Sequence, residues 1–275
     1  MSLCLLPILE PSDPRVADYF NVQDGEWIKR RGRFLAEGHE VLATLIERGR
    51  YPVDSVLIAE NKVERLTPLL SRLPAEVPIY VASMALLEGI VGFKLHRGVL
   101  AVGRIGAPLE VDAALAALPP GPALVLGLEG LANTDNVGAL FRNGAAFGVS
   151  LLLLDPSSAD PLYRKAIRTS MGHALVLPFA RTAPWPAGLA SLRAAGFVTY
   201  ALTPRADATS VVELFRGGLP GAERVALLVG AEGPGLSAAT LEAVDRGLRI
   251  PMSAGVDSLN VATAAALGLF ALRAR

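Results

Sequence analysis

Residues 123–154 read ALVLGLEGLANTDNVGALFRNGAAFGVSLLLL: an apolar run, a polar turn, a segment of helical period and a second apolar run. Residues 123–128 show no polar alternation, the mark of a strand buried on both faces. Asn133 and Asp135 are capping residue types, and they precede a helix expected over residues 136–147. Residues 150–154 then form a second buried strand. Strand, crossover helix and strand in this order make a parallel βαβ unit.

The rhythm continues to the C-terminus. Helices are expected over residues 163–171, 189–195, 237–246 and 261–273, and strands over 197–202, 224–229 and 248–252. The fold class is therefore α/β, with a mostly parallel sheet covered by helices on both faces. Upstream, strands at 33–36, 55–59, 78–81 and 98–103 alternate with helices at 37–48, 66–73 and 83–88, which predicts a small α/β sandwich. Between the halves, Pro119-Pro120-Gly121-Pro122 can continue neither regular structure. The expected organisation is a first domain over residues 1–106, a linker over 107–121 and a second domain over 122–275.

The 275-residue chain carries 26 basic and 26 acidic side chains, a formal net charge of zero. Contacts to phosphate are normally made by clustered Lys and Arg, so this balance argues against bulk adhesion to a polyanion. Nucleic-acid contact has to come from local patches, and two are visible: Lys29, Arg30, Arg31 and Arg33, and Arg164, Lys165 and Arg168. The longest apolar run, residues 261–272, falls short of the roughly 20 residues that a membrane-spanning helix needs. Residues 2–9 lack the basic start and cleavage site of a signal peptide. Cys4 is the single cysteine, and His39, His96 and His173 have no metal-ligand spacing, so neither disulfides nor a zinc site are expected. The default expectation is a soluble cytoplasmic protein with no membrane and no metal.

Ligands of open α/β sheets bind at the carboxyl ends of strands, and three strand ends here carry polar residues. The first, following residue 128, offers Asn136, Gly138 and Arg142, with Gly138 and Arg142 four apart on one helix face opposite Val137, Leu140 and Phe141. In the second, LLVGAEGPGLS, a strand runs into Gly230, Gly233 and Gly235, with Glu232 in the loop and Ser237 placed to cap the next helix. The third, IPMSAGVDSLNVATAAALGLF, is an apolar helix with a polar head of Asp257, Ser258 and Asn260. Ser258 or Asp257 serves most simply as its cap, which leaves Asn260 in the first turn of a buried helix, in need of a partner. There is no phosphate loop of the Gly-Lys-Ser/Thr type, no G-x-G-x-x-G and no G-x-S-x-G elbow. Physics alone thus gives an α/β enzyme that binds a nucleotide-like ligand through three loops.

Those loops resemble, in order, the three motifs of the SpoU/TrmH family of RNA ribose methyltransferases, in the SPOUT class. NTDNVGALFRNGAAFGV is similar to the first motif, VGAEGPGLS to the second and IPMSAGVDSLNVATAAALGL to the third. YRKAIRTSMGHALVLPF, around Arg168, Ser170, Met171 and Gly172, resembles a further stretch usual in the family. FLAEGHEVLATLIERG and LHRGVLAVG are similar to the start and end of the substrate-binding domain that precedes many such enzymes, a fold related to RNA-binding ribosomal proteins.

The resemblance implies a deep trefoil knot in the second domain, a homodimer and S-adenosylmethionine as cofactor. It would be held by Gly230, Ala231, Glu232, Gly233, Gly235, Ile250, Met252, Ser258 and Leu259. The implied catalytic set is Asn136, Arg142, Glu232, Ser258 and Asn260, acting on a ribose 2′-hydroxyl of RNA, with ribosomal RNA favoured and transfer RNA open. Arginine is the family's invoked activator, yet a guanidinium stays protonated in proteins. Arg142 would therefore either position a phosphate that takes the proton or stabilise the developing alkoxide. Lys29, Arg30, Arg31, Arg33 and Arg168 are the expected RNA contacts. The chain departs from the family's pattern at Asn143, where threonine is more usual, and at Asn133-Thr134-Asp135, which replaces a proline-containing turn.

Three other readings compete. A related knotted enzyme could methylate a base, against which the Arg142, Glu232 and Asn260 set argues. A non-catalytic RNA-binding or ribosome-assembly factor on the same fold would fit the neutral charge, but retention of the polar residues speaks against it. A nicotinamide-dependent oxidoreductase lacks its glycine fingerprint and ribose-binding acid.

Overall fold

The computed structural model describes residues 3–20, 30–95, 97–217, 223–256 and 258–273. The chain forms two compact units, Met1–Ala107 with Leu162–Val176, and Pro108–Pro161 with Leu177–Arg275.

The first unit is built on β1 (Leu5–Pro7), β2 (Arg33–Glu37), α1 (His39–Arg48), β3 (Val53–Ala59), α2 (Val63–Leu70), β4 (Ile79–Ala82), α3 (Met84–Val91) and β5 (Val99–Arg104). Its five-stranded sheet has the order β1-β4-β3-β5-β2, with β1, β4 and β3 parallel and β5 antiparallel to both its neighbours. Tyr19, Leu57, Leu87, Leu100 and Val102 are among the buried residues of its core. The helix expected from residue 37 begins at His39, because Gly38 at φ +99 ends the strand and turns the chain. β1 was not expected. Three residues are too few for a periodic signal, and the pairing with β4 that defines the strand is remote in sequence.

The second unit runs through α4 (Val111–Ala116), β6 (Ala123–Leu128), α5 (Thr134–Phe147) and β7 (Leu151–Leu154). After α6 (Arg164–Thr169), which belongs to the first unit, it resumes with β8 (Phe179–Arg181), α7 (Trp185–Ala194), β9 (Val198–Leu202), β10 (Thr209–Ser210), α8 (Val211–Gly217), β11 (Arg224–Val229), α9 (Ala238–Ala243), β12 (Arg246–Arg249) and α10 (Val261–Arg273). The seven strands are parallel, in the order β10-β12-β9-β11-β6-β7-β8.

Strand period two sorts the sheet's faces. Val125, Leu151, Leu153, Ala226 and Leu228 meet Leu115 of α4 and Trp185, Leu189 and Leu192 of α7. Leu227, one residue out of phase, lies against α10, where a Cβ on Gly268 would stand 3.0 Å from its Cδ2. Helices on both faces bear out the expected parallel-sheet α/β architecture.

Several boundaries differ from expectation. α7 starts at Trp185, since Pro186 is tolerated in a first turn. α9 ends at Ala243, where Val244 turns extended and the Asp245 carboxylate accepts from Thr199 N–H at 2.8 Å. That bond carries the chain back onto β9 as β12, so residues 250–252 lie beyond the strand. Residues 107–121, read as a linker, contain α4, whose Leu115 is buried in the second unit's core. Residues 162–176, read as part of the second domain, join the first unit. Among the described residues, no helix is long and apolar enough to cross a membrane.

Candidate active site

β11 ends at Val229, and the chain doubles back over residues 230–236. A Cβ on Gly230 would lie 2.2 Å from both the carbonyl carbon of Gly235 and the nitrogen of Leu236, so only glycine permits this turn. Ala231 and Gly235 pair across it, with Gly235 N–H donating to the Ala231 carbonyl at 3.0 Å. Ser237 then caps α9, as expected, its Oγ accepting from Thr240 N–H at 3.2 Å.

Facing this turn is the segment leading from β12 to α10, and the two enclose a cavity of about 580 Å³. Small-molecule sites typically measure about 300–1,000 Å³. Gly230, Ala231, Glu232, Gly233 and Gly235 line it on one side, and Ile250, Met252, Ser258, Leu259 and Asn260 on the other. All nine positions expected at the cofactor thus line the same cavity. Sequence reasoning missed Leu202, Thr203 and Pro204, at the carboxyl end of β9, and Leu236, Leu241, Val261 and Ala264. The strand-end rule, applied to residues 197–202, would have found the first three.

The polar residues converge from three elements. Asn136, buried in the first turns of α5, donates from Nδ2 to Glu232 Oε1 at 2.6 Å. Asn260 Nδ2 donates to Asn136 Oδ1 at 3.0 Å and to Glu232 Oε1 at 3.4 Å. Asn260 Oδ1 accepts from the backbone N–H of Ala262 at 3.0 Å and Thr263 at 3.3 Å. Asn260 is therefore itself the cap of α10, and the expectation of a cap at Ser258 or Asp257 is corrected. Asp257 lies outside the described residues. Glu232 Oε2 has no partner among the described residues, so one carboxylate oxygen is fixed and the other can accept from a ligand.

Asn133 caps α5, its Oδ1 accepting from Asp135 N–H at 2.9 Å. Gly138 is buried and Arg142 exposed, so they do not share the solvent face expected for them. Arg142 is not in the cavity wall, and it forms no hydrogen bond or ion pair with another described residue. Asn143, the departure from the family's threonine, donates to the Ala262 carbonyl at 2.7 Å and ties α5 to the head of α10.

A second network holds the turn after β6. Asp155 accepts from the N–H of Gly130 at 3.0 Å and Ser158 at 2.8 Å, and from both Ser157 and Ser158 hydroxyls. Burial alone would raise this carboxyl, but the hydrogen bonds outweigh it and hold it below its ordinary value of 3.8.

The basic cluster fares differently. Lys29 lies outside the described residues, and Arg30 is exposed. Arg31 pairs with Asp18 at 3.0 Å, and Arg33 bridges Asp18 and Asp54, the latter at 3.0 Å. Two of the expected RNA contacts are thus already committed to carboxylates. Arg168 lies on α6, 3.8 Å from Glu37. Among the described residues, no group of three or more His, Cys, Asp or Glu could hold a metal ion.

Residues 123–270 match the model of the SpoU rRNA Methylase family. A Mycobacterium tuberculosis protein described as an uncharacterized tRNA/rRNA methyltransferase is 41% identical over 271 residues, covering 96% of this chain and 90% of that protein. The 23S rRNA (guanosine-2′-O-)-methyltransferase RlmB of Xanthomonas campestris is 31% identical over 238 residues, 85% of this chain and 93% of its own length. The crystal structure of an AdoMet-bound rRNA methyltransferase from Sinorhizobium meliloti superposes with a TM-score of 0.80 at 21% identity, covering 98% of this chain and 97% of that one, a likeness of fold.

Proposed function

The chain belongs to the SpoU rRNA methylase family, and from that premise we propose that it methylates a ribose 2′-hydroxyl of RNA with S-adenosylmethionine. The observation that carries this reading is the meeting of Asn136, Glu232 and Asn260 at the rim of the cavity.

The cavity suits the cofactor. Its aliphatic walls, Leu202, Ile250, Met252 and Leu259 among them, fit an adenine ring, and the glycine turn offers backbone polar groups for the edges of base and ribose. Gly230, Ala231, Gly233, Gly235, Ile250, Met252, Ser258 and Leu259 would hold it. When bound, S-adenosylmethionine supplies an electrophilic methyl on a sulfonium.

The remaining work falls to this chain's residues. Glu232 Oε2 accepts the hydrogen bond of a hydroxyl and orients it, while Asn136 and Asn260 keep the carboxylate in place. Arg142 keeps its proton, so its part is to position an RNA phosphate that takes the hydroxyl proton and to stabilise the alkoxide that develops as it does so. Ser258 adds a further hydroxyl at the wall. Most of the acceleration comes from alignment of donor and acceptor.

Ribosomal RNA is the favoured substrate, since the X. campestris relative is named for 23S rRNA. The first unit would bind it, and the cytoplasm is where the two would meet. The segment 250–260 and the turn 230–236, facing one another across the cavity, are where a trefoil knot would close. A homodimer would bury the exposed side chains of Phe215, Leu267 and Phe270 in the second unit.

Titration calorimetry with S-adenosylmethionine, followed by methyl transfer to total RNA and nucleoside mass spectrometry, tests the reading. Micromolar-range binding and a 2′-O-methylated nucleoside are expected. Absence of cofactor binding would overturn it in favour of a non-catalytic RNA-binding protein, and a base-methylated product would favour the related base methylases.

A further inference from the structure

The neutral charge of the chain hides an asymmetry between its units. Met1–Ala107 holds 13 basic and 13 acidic residues, while Leu162–Val176 adds Arg164, Lys165 and Arg168 and no acid. The second unit has 10 basic and 13 acidic residues. With histidines neutral, the first unit is therefore at +3 and the second at −3, and the whole excess of the first comes from the segment that carries α6.

α6 is fastened to β2 by a partly buried ion pair. Arg164 Nη1 meets Glu37 Oε2 at 2.6 Å, and its guanidinium lies 4.5 Å from the ring centroid of Phe93. The Glu37 side chain is 7% exposed, so its carboxylate is taken up mainly by Arg164. Arg168 reaches the same oxygen only at 3.8 Å and stays 45% exposed. Next to Glu37, the side chain of Arg97 crosses Gly38 so closely that a Cβ there would stand 2.6 Å from Arg97 Cδ. Arg97 is exposed and makes no hydrogen bond or ion pair with another described residue.

We propose that Arg97, Lys165 and Arg168, arrayed around the Arg164–Glu37 pair, are the surface with which the first unit takes the sugar–phosphate backbone of RNA. The proposal rests on the methyltransferase reading; of the two basic clusters expected from sequence it selects the one on α6 over the one at residues 29–33, and adds Arg97 to it. Guanidinium groups suit phosphate oxygens because they present paired donors at fixed angles. In the rival patch Arg31, Arg33 and Arg104 are all paired to Asp18 or Asp54. Arg97, without an ion pair among the described residues, and Arg168, 3.8 Å from an oxygen that Arg164 already holds, keep positive charge to spare.

The test measures affinity for a fluorescein-labelled mixed-sequence RNA stem-loop by anisotropy across a potassium chloride series. It compares full-length wild type with Arg97→Ala/Arg168→Ala, Arg97→Lys/Arg168→Lys and Arg30→Ala/Arg31→Ala. Loss of two phosphate contacts lowers the slope of log affinity against log salt by about two. That loss is expected for the first double variant, with the lysine variant and the Arg30/Arg31 variant near wild type. Calorimetry should give all four proteins the same affinity for S-adenosylmethionine. An unchanged slope in Arg97→Ala/Arg168→Ala, or a loss confined to Arg30→Ala/Arg31→Ala, overturns the proposal. Wild type that binds cofactor but no RNA also overturns it and leaves the cofactor reading standing. Wild type that binds neither sinks the parent reading as well.

Discussion

Asn136 and Asn260, 124 positions apart, are joined by a 3.0 Å hydrogen bond from the side-chain amide of the second to the carbonyl oxygen of the first. Asn260 divides its side chain between two tasks. Its oxygen caps α10, and its nitrogen reaches Asn136 and Glu232. An aspartate could do the first but not the second, and that difference separates folding from function.

Asn260→Asp should therefore keep the cap of α10, because aspartate caps helices as well as asparagine does. It removes the donor to Asn136 and sets a second carboxylate near Glu232. Methyl transfer should fall by about a hundredfold, the scale of losing one oriented donor. Asn260→Ala should lose that and about 1 kcal/mol of stability besides. Equal unfolding temperatures for Asp and Ala variants would contradict the capping role, and full activity in the Asp variant would contradict the other.

Gly230→Ala probes the turn itself. The new methyl would press on the backbone of Gly235 and Leu236, which cannot yield as a flexible side chain would. Displacement of the turn moves the cavity wall, so cofactor affinity measured by calorimetry should drop at least about tenfold, or about 1.4 kcal/mol. Gly217→Ala, in open space on α8, is the control and should bind as wild type does. An unaltered affinity in Gly230→Ala would show that the turn is not part of the binding wall.

Much of this site could be read in the sequence because it is local. A buried strand, a glycine turn and a capped helix are each written within about a dozen residues, as at residues 225–241. What escaped the sequence depends on distant partners. The cap of α10 reads at Ser258 or Asp257 because all three polar residues are capping types, whereas Asn260, which takes the cap, is also tied by its amide to Asn136 on another helix. Arg31 and Arg33 read as a free basic patch because Asp18 and Asp54, which bind them, lie in other segments. The placing of residues 162–176 failed for a related reason. Their strand–helix rhythm fits the second unit, while the Arg164–Glu37 pair attaches them to the first.

Asp155 gives a pH-dependent prediction. Its folded carboxyl sits below the ordinary 3.8, so the stabilisation it provides is present above that value and is lost as pH falls through the depressed one. Asp155→Asn turns an amide donor either toward the N–H of Ser157 or toward those of Gly130 and Ser158, and should cost about 1–3 kcal/mol in urea unfolding at neutral pH. The gap between wild type and variant should narrow as pH is lowered past 3.8. A gap that stays constant with pH would mean that the ionised carboxylate is not what holds the turn after β6.

Phe270 of α10 stacks on Phe215 of α8 at 5.6 Å and 17°, and both rings are about half exposed, at 51% and 49%. Phe147 of α5 approaches Phe270 edge-on at 6.4 Å, and Leu267, one turn back along α10, is 43% exposed. Aromatic and aliphatic side chains gathered in this way on one surface mark a contact site more often than isolated exposed residues do. A second copy of the chain is the expected occupant, because Asn260 caps α10 and the surface is continuous with the helix whose head carries the site. Leu267→Glu/Phe270→Glu should therefore sediment as a monomer where wild type sediments as a dimer. Its isolated fold should persist by circular dichroism, since neither side chain belongs to the buried core. Cofactor affinity should fall with the dimer if the partner steadies the head of α10. A monomeric wild type, or a variant that remains dimeric, would remove this surface from the interface.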